Sequence, residues 1–153
     1  MTEAPAGREG VDAIMVGVDG SDSSVAAARW AAAQAARTGD RVVLVSAWQY
    51  PTTWGSTIPL PDGYDPEADT RAVADPVATA LQAEFPTVDV TNHLVEGHPA
   101  EVLVDASRHA VLLAVGSRGH GAFAGMLLGS VSEHCVTHAH CPVLVYRPRS
   151  YDS

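Results

Sequence analysis

Two short segments of this chain carry the residue types and spacing that hold an anion. The first is Val18-Asp19-Gly20-Ser21, and the second begins at Val115-Gly116-Ser117-Arg118-Gly119 and continues to Gly129-Ser130. Between Gly116 and Ser130 stand five glycines, Gly116, Gly119, Gly121, Gly125 and Gly129. Such density costs backbone entropy and is usual where the backbone approaches something closely. A phosphate chain fits. Gly119 would admit an oxyanion close to backbone amides, while Gly129, Ser130, Val131 and Ser132 would offer unpaired amides and the positive end of a helix dipole. Ser130 and Ser132 add hydroxyl donors. Arg118, the one fixed cation of the loop, either reaches the terminal phosphate or lies solvated on the surface.

Asp19 has two readings. A carboxylate at the mouth of such a site can accept hydrogen bonds from ribose hydroxyls or hold a metal on the phosphates. It can equally be a turn-forming residue that caps the following helix, since Asp-Gly turns are common.

These segments must be positioned by a scaffold, and the apolar pattern specifies one. Five apolar runs alternate with helix-like stretches, as in a parallel sheet with crossover helices. The runs are Ala13 to Val18, Arg41 to Trp48, Thr87 to Val95, Ala110 to Val115 and Pro142 to Arg147. The first and fourth are apolar at every position, which marks strands covered on both faces. The third alternates, with Val88, Val90 and Leu94 on one face and Asp89, Thr91 and His93 on the other, as an edge strand requires. The expected architecture is an open, doubly wound, parallel five-stranded sheet in the order 3-2-1-4-5. Ligands bind at the carboxyl ends of such strands where the winding reverses, here between the first and fourth, where the two glycine-bearing segments meet.

Helices are expected over Ser24 to Arg37, over Glu67 to Phe85, from Pro99 to about His109, and over Gly129 to His140. Pro76 should kink the second or split off its first part. Residues 49–66 contain Pro51, Pro59, Pro61 and Pro66, a composition that predicts a long loop without helix or strand. The loop carries Tyr50, Trp54 and Tyr64, and serves either as a lid or as a mobile or dimer-contacting segment.

The chain has 153 residues, close to the roughly 100 to 150 residues of a common single domain. We expect a flexible tail over 1–10, one domain over 11–149 and a short tail over 150–153. Apolar residues make up 46% and charged residues 18%, enough for a packed core and too apolar for disorder. The net charge of −9 disfavours nucleic acid and anionic membranes. Residues 1–10 are polar and lack a signal-peptide core, and the uncharged stretch Gly119 to Ser132 is too short and glycine-broken for a membrane span of ~20 residues. With Cys135 and Cys141 its only cysteines, the chain reads as a cytoplasmic protein.

The gapped pattern Gly116-x2-Gly119-x9-Gly129-Ser130 resembles the G-2x-G-9x-G(S/T) ATP-binding motif of the universal stress protein family. The opening Val16-Gly17-Val18-Asp19-Gly20-Ser21, the stretch Gly129-Ser130-Val131-Ser132-Glu133 and the closing Cys141-Pro142-Val143-Leu144-Val145 are similar to the corresponding parts of that family. The resemblance implies a Rossmann-like adenine nucleotide-binding fold holding ATP, with magnesium, and a role as a stress-response regulator or sensor. Phosphates would lie on Gly116, Gly119, Gly129, Ser130, Val131 and Ser132, the ribose near Asp19, and the adenine against Val18 and the backbone of Ala47. The family varies at Arg118, and Ala110-Val111 stands where many members carry an acidic residue.

Other chemistries fare worse. His134 and His138 stand at i, i+4 with Cys135, His140 and Cys141 nearby, but the zinc-protease pattern needs Glu where Cys135 stands and no paired CxxC exists, so no metal site is expected. Neither glycine pair with hydrolase-elbow spacing has serine at its centre, and the chain contains no lysine, which rules out a P-loop or kinase-type lysine. No general base or nucleophile is expected beside the phosphates, hence no catalytic residue and at most slow ATP hydrolysis. The alternatives are a nucleotide-independent interaction module of the same fold and, third, an enzyme like the ATP pyrophosphatases. The fifth strand, Val143, Leu144, Val145 and Tyr146, is apolar on both faces and would leave an open edge. We expect a homodimer through it, or else the C-terminal tail folded over it.

Overall fold

A computed structural model of the chain describes residues 13–53, 56–57, 60–118 and 128–148. Its main sheet is built from β1 (Ala13–Gly17), β2 (Arg41–Trp48), β5 (Val90–Glu96), β6 (Ala110–Gly116) and β7 (Val143–Tyr146), all paired in parallel. The spatial order is β5-β2-β1-β6-β7, which is the 3-2-1-4-5 winding expected. Helices α1 (Asp22–Thr38), α2 (Pro66–Glu84), α3 (Pro99–Ser107) and α4 (Ser130–His138) make the crossovers.

Strand periodicity divides the core. Ile14, Val16, Val42, Leu44 and Ala114 point to one face and pack under α1 and α2, together with Ala78 and Leu81. Their neighbours Ala13, Val43, Val45, Leu113 and Val115 point the other way, against Val102 and Leu103 of α3 and Cys135 of α4. In α1 the buried stripe is Ala27, Ala28, Ala31, Ala32 and Ala35, all small. Such side chains hold the helix in place with little rotamer entropy lost and let it lie close to the sheet.

Among the described residues, local chemistry starts three of the four helices with a side-chain cap. Ser21 accepts from the Ser24 amide, Asp65 from Ala68 and His98 Nδ1 from Ala100. Helix α4 begins instead at Gly129, with no side-chain cap. Among the described residues no helix is long and apolar enough to cross a membrane.

Three expectations need correction. The proline-rich stretch 49–66 is not without strands: β3 (Thr52–Thr53) and β4 (Ser56–Thr57) pair antiparallel. These four residues lie between the prolines and retain the N–H groups that a ladder needs. Helix α2 is not split at Pro76, and it begins at Pro66. Pro76 and Ala72, whose carbonyl loses its partner, are both exposed, so water can satisfy the freed group. The edge strand begins at Val90 and not at Thr87. Val88 is buried all the same, in a turn where its amide donates to the Phe85 carbonyl at 3.0 Å.

Candidate functional site

A cavity of about 700 Å³ opens at the carboxyl ends of β1, β2 and β6. Its floor is Gly17 and Val18 from β1 and its turn, Val45 to Ala47 from β2, and Val115 and Gly116 from β6. The walls come from the starts of the helices: Asp69, Thr70 and Val73 of α2, Pro99 and Leu103 of α3, and Gly129 to Ser132 at α4. Val18, Asp19, Ala47, Val115, Gly116, Arg118, Gly129, Ser130, Val131 and Ser132 all line it, although they span more than a hundred positions of sequence. Gly119, the remaining candidate, lies outside the described residues, as do Gly121, Gly125 and Trp54.

The turn after β1 is tightly tied. Asp19 Oδ1 accepts from the Ser21 amide at 2.9 Å and from the Ser21 hydroxyl at 2.5 Å. Ser21 in turn accepts from the Ser24 amide at 3.3 Å, and the Ser24 hydroxyl donates to the Ser21 carbonyl at 2.9 Å. Gly20 sits between at φ 83°, a left-handed conformation that disfavours a side chain. Asp19 therefore organises the turn while Ser21 is the cap of α1, and Asp19 also borders the cavity.

Glycine at 116 answers first to packing. A Cβ there would stand 2.7 Å from the Ser23 carbonyl carbon and 2.8 Å from the Ser24 amide nitrogen, both backbone atoms of the first turn of α1. The β6 loop and the α1 turn thus approach one another as closely as backbones can.

Two expected donors are already engaged. The Ser132 hydroxyl donates to the buried Gly116 carbonyl at 2.5 Å, and the Gly129 amide donates to the Ser117 carbonyl at 2.7 Å. Both bonds join α4 to the end of β6, so these groups hold the walls of the cavity together. A hydroxyl has one proton to give, and that of Ser132 is committed within the protein. What α4 offers the cavity is the amides of Ser130, Val131 and Ser132. These have no carbonyl four residues back within the helix, since the first such bond runs from Glu133 to Gly129 at 2.9 Å. The Ser130 side chain is exposed beside them.

At the opposite end, β1 leaves the sheet at Val18, whose amide donates to Val45 at 3.0 Å. In a parallel strand the backbone groups two residues on point to the same side, so the N–H and C=O of Ala47 face the cavity beyond the end of β1. The buried Ser46 hydroxyl donates to the Val18 carbonyl at 3.0 Å and pins this opening. Of the charged groups lining the cavity, Asp19 and Asp69 are acidic, and exposed Arg118 is basic.

The wall from α2, and with it Asp69, Thr70 and Val73, escaped the sequence reading, as did Pro99 and Leu103. The available signal was their i, i+1, i+4 spacing on one helix face, but which face meets the cavity depends on how α2 docks. The described residues of 49–66 do not line the cavity. Tyr50 packs edge-on against Trp48 with centroids 5.8 Å apart, and Tyr64 continues the series at 6.4 Å.

The rings of His134 and His138 lie 4.5 Å apart between centroids with their planes tilted by 45°, but among the described residues no three of His, Cys, Asp and Glu converge on one point. Burial pushes the Cys135 thiol up to about 11, with a smaller contribution from Cys141, whose own thiol is also raised by burial. Cys135 is thus a neutral core side chain at neutral pH.

A doubly wound α/β sheet with its cavity at the switch point, bordered by an uncapped helix start, defines a class of small-ligand-binding domains. Within that class, residues 10–147 match the universal stress protein family, and the chain belongs to it. A universal stress protein of Mycolicibacterium smegmatis is 34% identical over 137 residues, which are 89% of this chain and 46% of the relative. One of Mycobacterium tuberculosis is 37% identical over 140 residues, 88% of this chain and 44% of the relative. The chain spans about half the length of these curated relatives. Among solved structures, a universal stress protein in complex with cAMP superposes with a TM-score of 0.68 at 28% identity, covering 91% of this chain and 98% of that one. A family member from Burkholderia pseudomallei gives 0.62, also at 28% identity, over 93% and 98% of the two chains.

Proposed function

We propose that this chain is an ATP-binding universal stress protein that acts as a nucleotide-dependent stress-response regulator in the cytoplasm, with residues 11–149 as its single domain. The observation that carries the reading is the juxtaposition, in one cavity, of the uncapped amides of α4 with the open backbone edge of Ala47. The first is a site for phosphate oxygens and the second presents a donor and an acceptor side by side, as the edge of adenine requires. A volume of about 700 Å³ lies within the usual range for ligand pockets. The related protein solved with cAMP supports an adenine nucleotide as the ligand class.

The ribose would lie near Asp19, and Gly119 and Arg118 would complete the phosphate site. A net charge of −9 and two carboxylates at the cavity favour a ligand whose phosphates carry magnesium. The chain has no lysine, and Cys135 is a protonated core residue, so neither supplies a nucleophile beside the phosphates. Any hydrolysis of ATP is at most slow. Among the described residues no strand pairs with the outer side of β7, Val143 to Tyr146, whose four residues are half-buried, and we propose that two copies pair through this edge.

Calorimetric titration with ATP and magnesium tests the ligand. The expected result is a dissociation constant near 1 μM, roughly −8 kcal/mol. In Gly129→Asp a carboxylate at the start of α4 occupies the phosphate position, and binding is lost. Absence of binding up to about 1 mM, roughly −4 kcal/mol, would reduce the site to architecture and favour a nucleotide-independent interaction module.

A further inference from the structure

The polar side chains at the β2–α2 end of the cavity share one property. The Ser46 hydroxyl gives its proton to the Val18 carbonyl at 3.0 Å, and the Thr70 hydroxyl gives its proton to the Pro66 carbonyl at 2.8 Å. The third group is the carboxylate of Asp69, whose oxygens accept hydrogen bonds. Among the described residues, every side-chain polar atom at this end therefore presents lone pairs and no proton. The rest of this end is apolar. Val73 is 45% exposed although it borders the cavity, and Leu103 lies across from it on the other face of the sheet. A flat apolar group inserted here would cover Val73 and meet acceptors at its edge.

We propose that Asp69 is a base-selecting residue, which accepts a hydrogen bond from the exocyclic amine of the bound base and rejects bases that carry a carbonyl there. The proposal rests on the nucleotide reading above, since phosphates on α4 place the base at the opposite end of the cavity. Adenine brings a 6-amino donor to this acceptor-lined end. Hypoxanthine brings a 6-oxo group, which sets its lone pairs against those of the carboxylate with no proton between them. Asp69 is exposed, so this selectivity arises where the bound base itself covers the carboxylate and leaves a mismatched polar pair unsatisfied. The ordinary role of an acid in the first turn of α2, favourable interaction with the helix dipole, predicts no such selectivity.

The test compares ATP with ITP, both with magnesium, by calorimetry on the wild-type chain and on Asp69→Asn. The phosphates and ribose are identical, so the ratio of the two affinities reports on the base alone. We expect the wild type to bind ATP at least about tenfold more tightly than ITP, the factor supplied by one charge-assisted hydrogen bond. In Asp69→Asn the amide can donate to the 6-oxo group, and the ratio should shrink by about tenfold, while a thermal melt shows the fold intact. The share of selectivity due to the Ala47 backbone is common to both proteins and cancels in that comparison. A wild-type ratio near one, or a ratio unchanged by the substitution, overturns the role of Asp69 while leaving nucleotide binding standing. Failure of both nucleotides to bind up to about 1 mM, roughly −4 kcal/mol, overturns the nucleotide reading and this proposal with it.

Discussion

Replacing Gly116 by alanine separates what that glycine does for the fold from what it does for a ligand. The added Cβ would lie 2.7 Å from the Ser23 carbonyl carbon and 2.8 Å from the Ser24 amide nitrogen. These distances are at least about 0.6 Å short of ordinary contact, and neither atom can swing away as a side-chain tip could. The first turn of α1 must shift, taking with it the Ser21 cap bond to Ser24 at 3.3 Å and the Asp19 amide bond to the Ser24 hydroxyl, also at 3.3 Å. Overpacking of this kind costs about 1–3 kcal/mol. At about 2–4 °C per kcal/mol for a chain of this size, the melting temperature should fall by about 2–12 °C. Thermal unfolding followed by circular dichroism, without nucleotide, is the assay. A melting temperature within about 1 °C of wild type would show that the β6–α1 contact relaxes freely. Gly116 would then have to be explained by its ligand.

Asp19→Ala should lower ATP affinity at least about tenfold in the same calorimetric assay, the size of one lost charge-assisted hydrogen bond; unchanged affinity would assign Asp19 to the turn alone. The Cys135 thiol is raised from 9.0 to about 11 in the folded chain, so the folded state holds its proton more tightly than the unfolded one. That stabilisation is complete below pH 9 and disappears as pH rises through 11. The urea midpoint should therefore fall over this window in the wild type and fall less in Cys135→Ala; parallel pH profiles would refute the assignment. Sedimentation equilibrium at micromolar concentration should give a dimer, and a monomer would sink pairing through β7.

The fold was legible in the sequence because its determinants are local. Ala13–Gly17 and Ala110–Gly116 are apolar at nearly every position, which identifies strands covered on both faces, and the alternation beyond Val90 marks an edge. The alanine stripe of α1 and its stop at Gly39 follow from propensity and capping. From these the winding order and the switch-point location follow, and with them the meeting of Asp19, Gly116 and Gly129 in one cavity.

Tertiary structure alone decided what those residues have left to offer. The Ser132 hydroxyl is committed to Gly116 because α4 docks against the end of β6, sixteen positions away in sequence. The Gly129 amide turns to Ser117 for the same reason. Asp69 enters the cavity only because α2, after a long proline-rich connection, lands with that face toward the open end of β2. Side-chain periodicity specifies which faces are apolar, but not how a helix slides and rotates over a sheet, which is settled by packing among residues far apart in the chain. The hydrogen-bond inventory of the cavity depends on that docking and not on any motif.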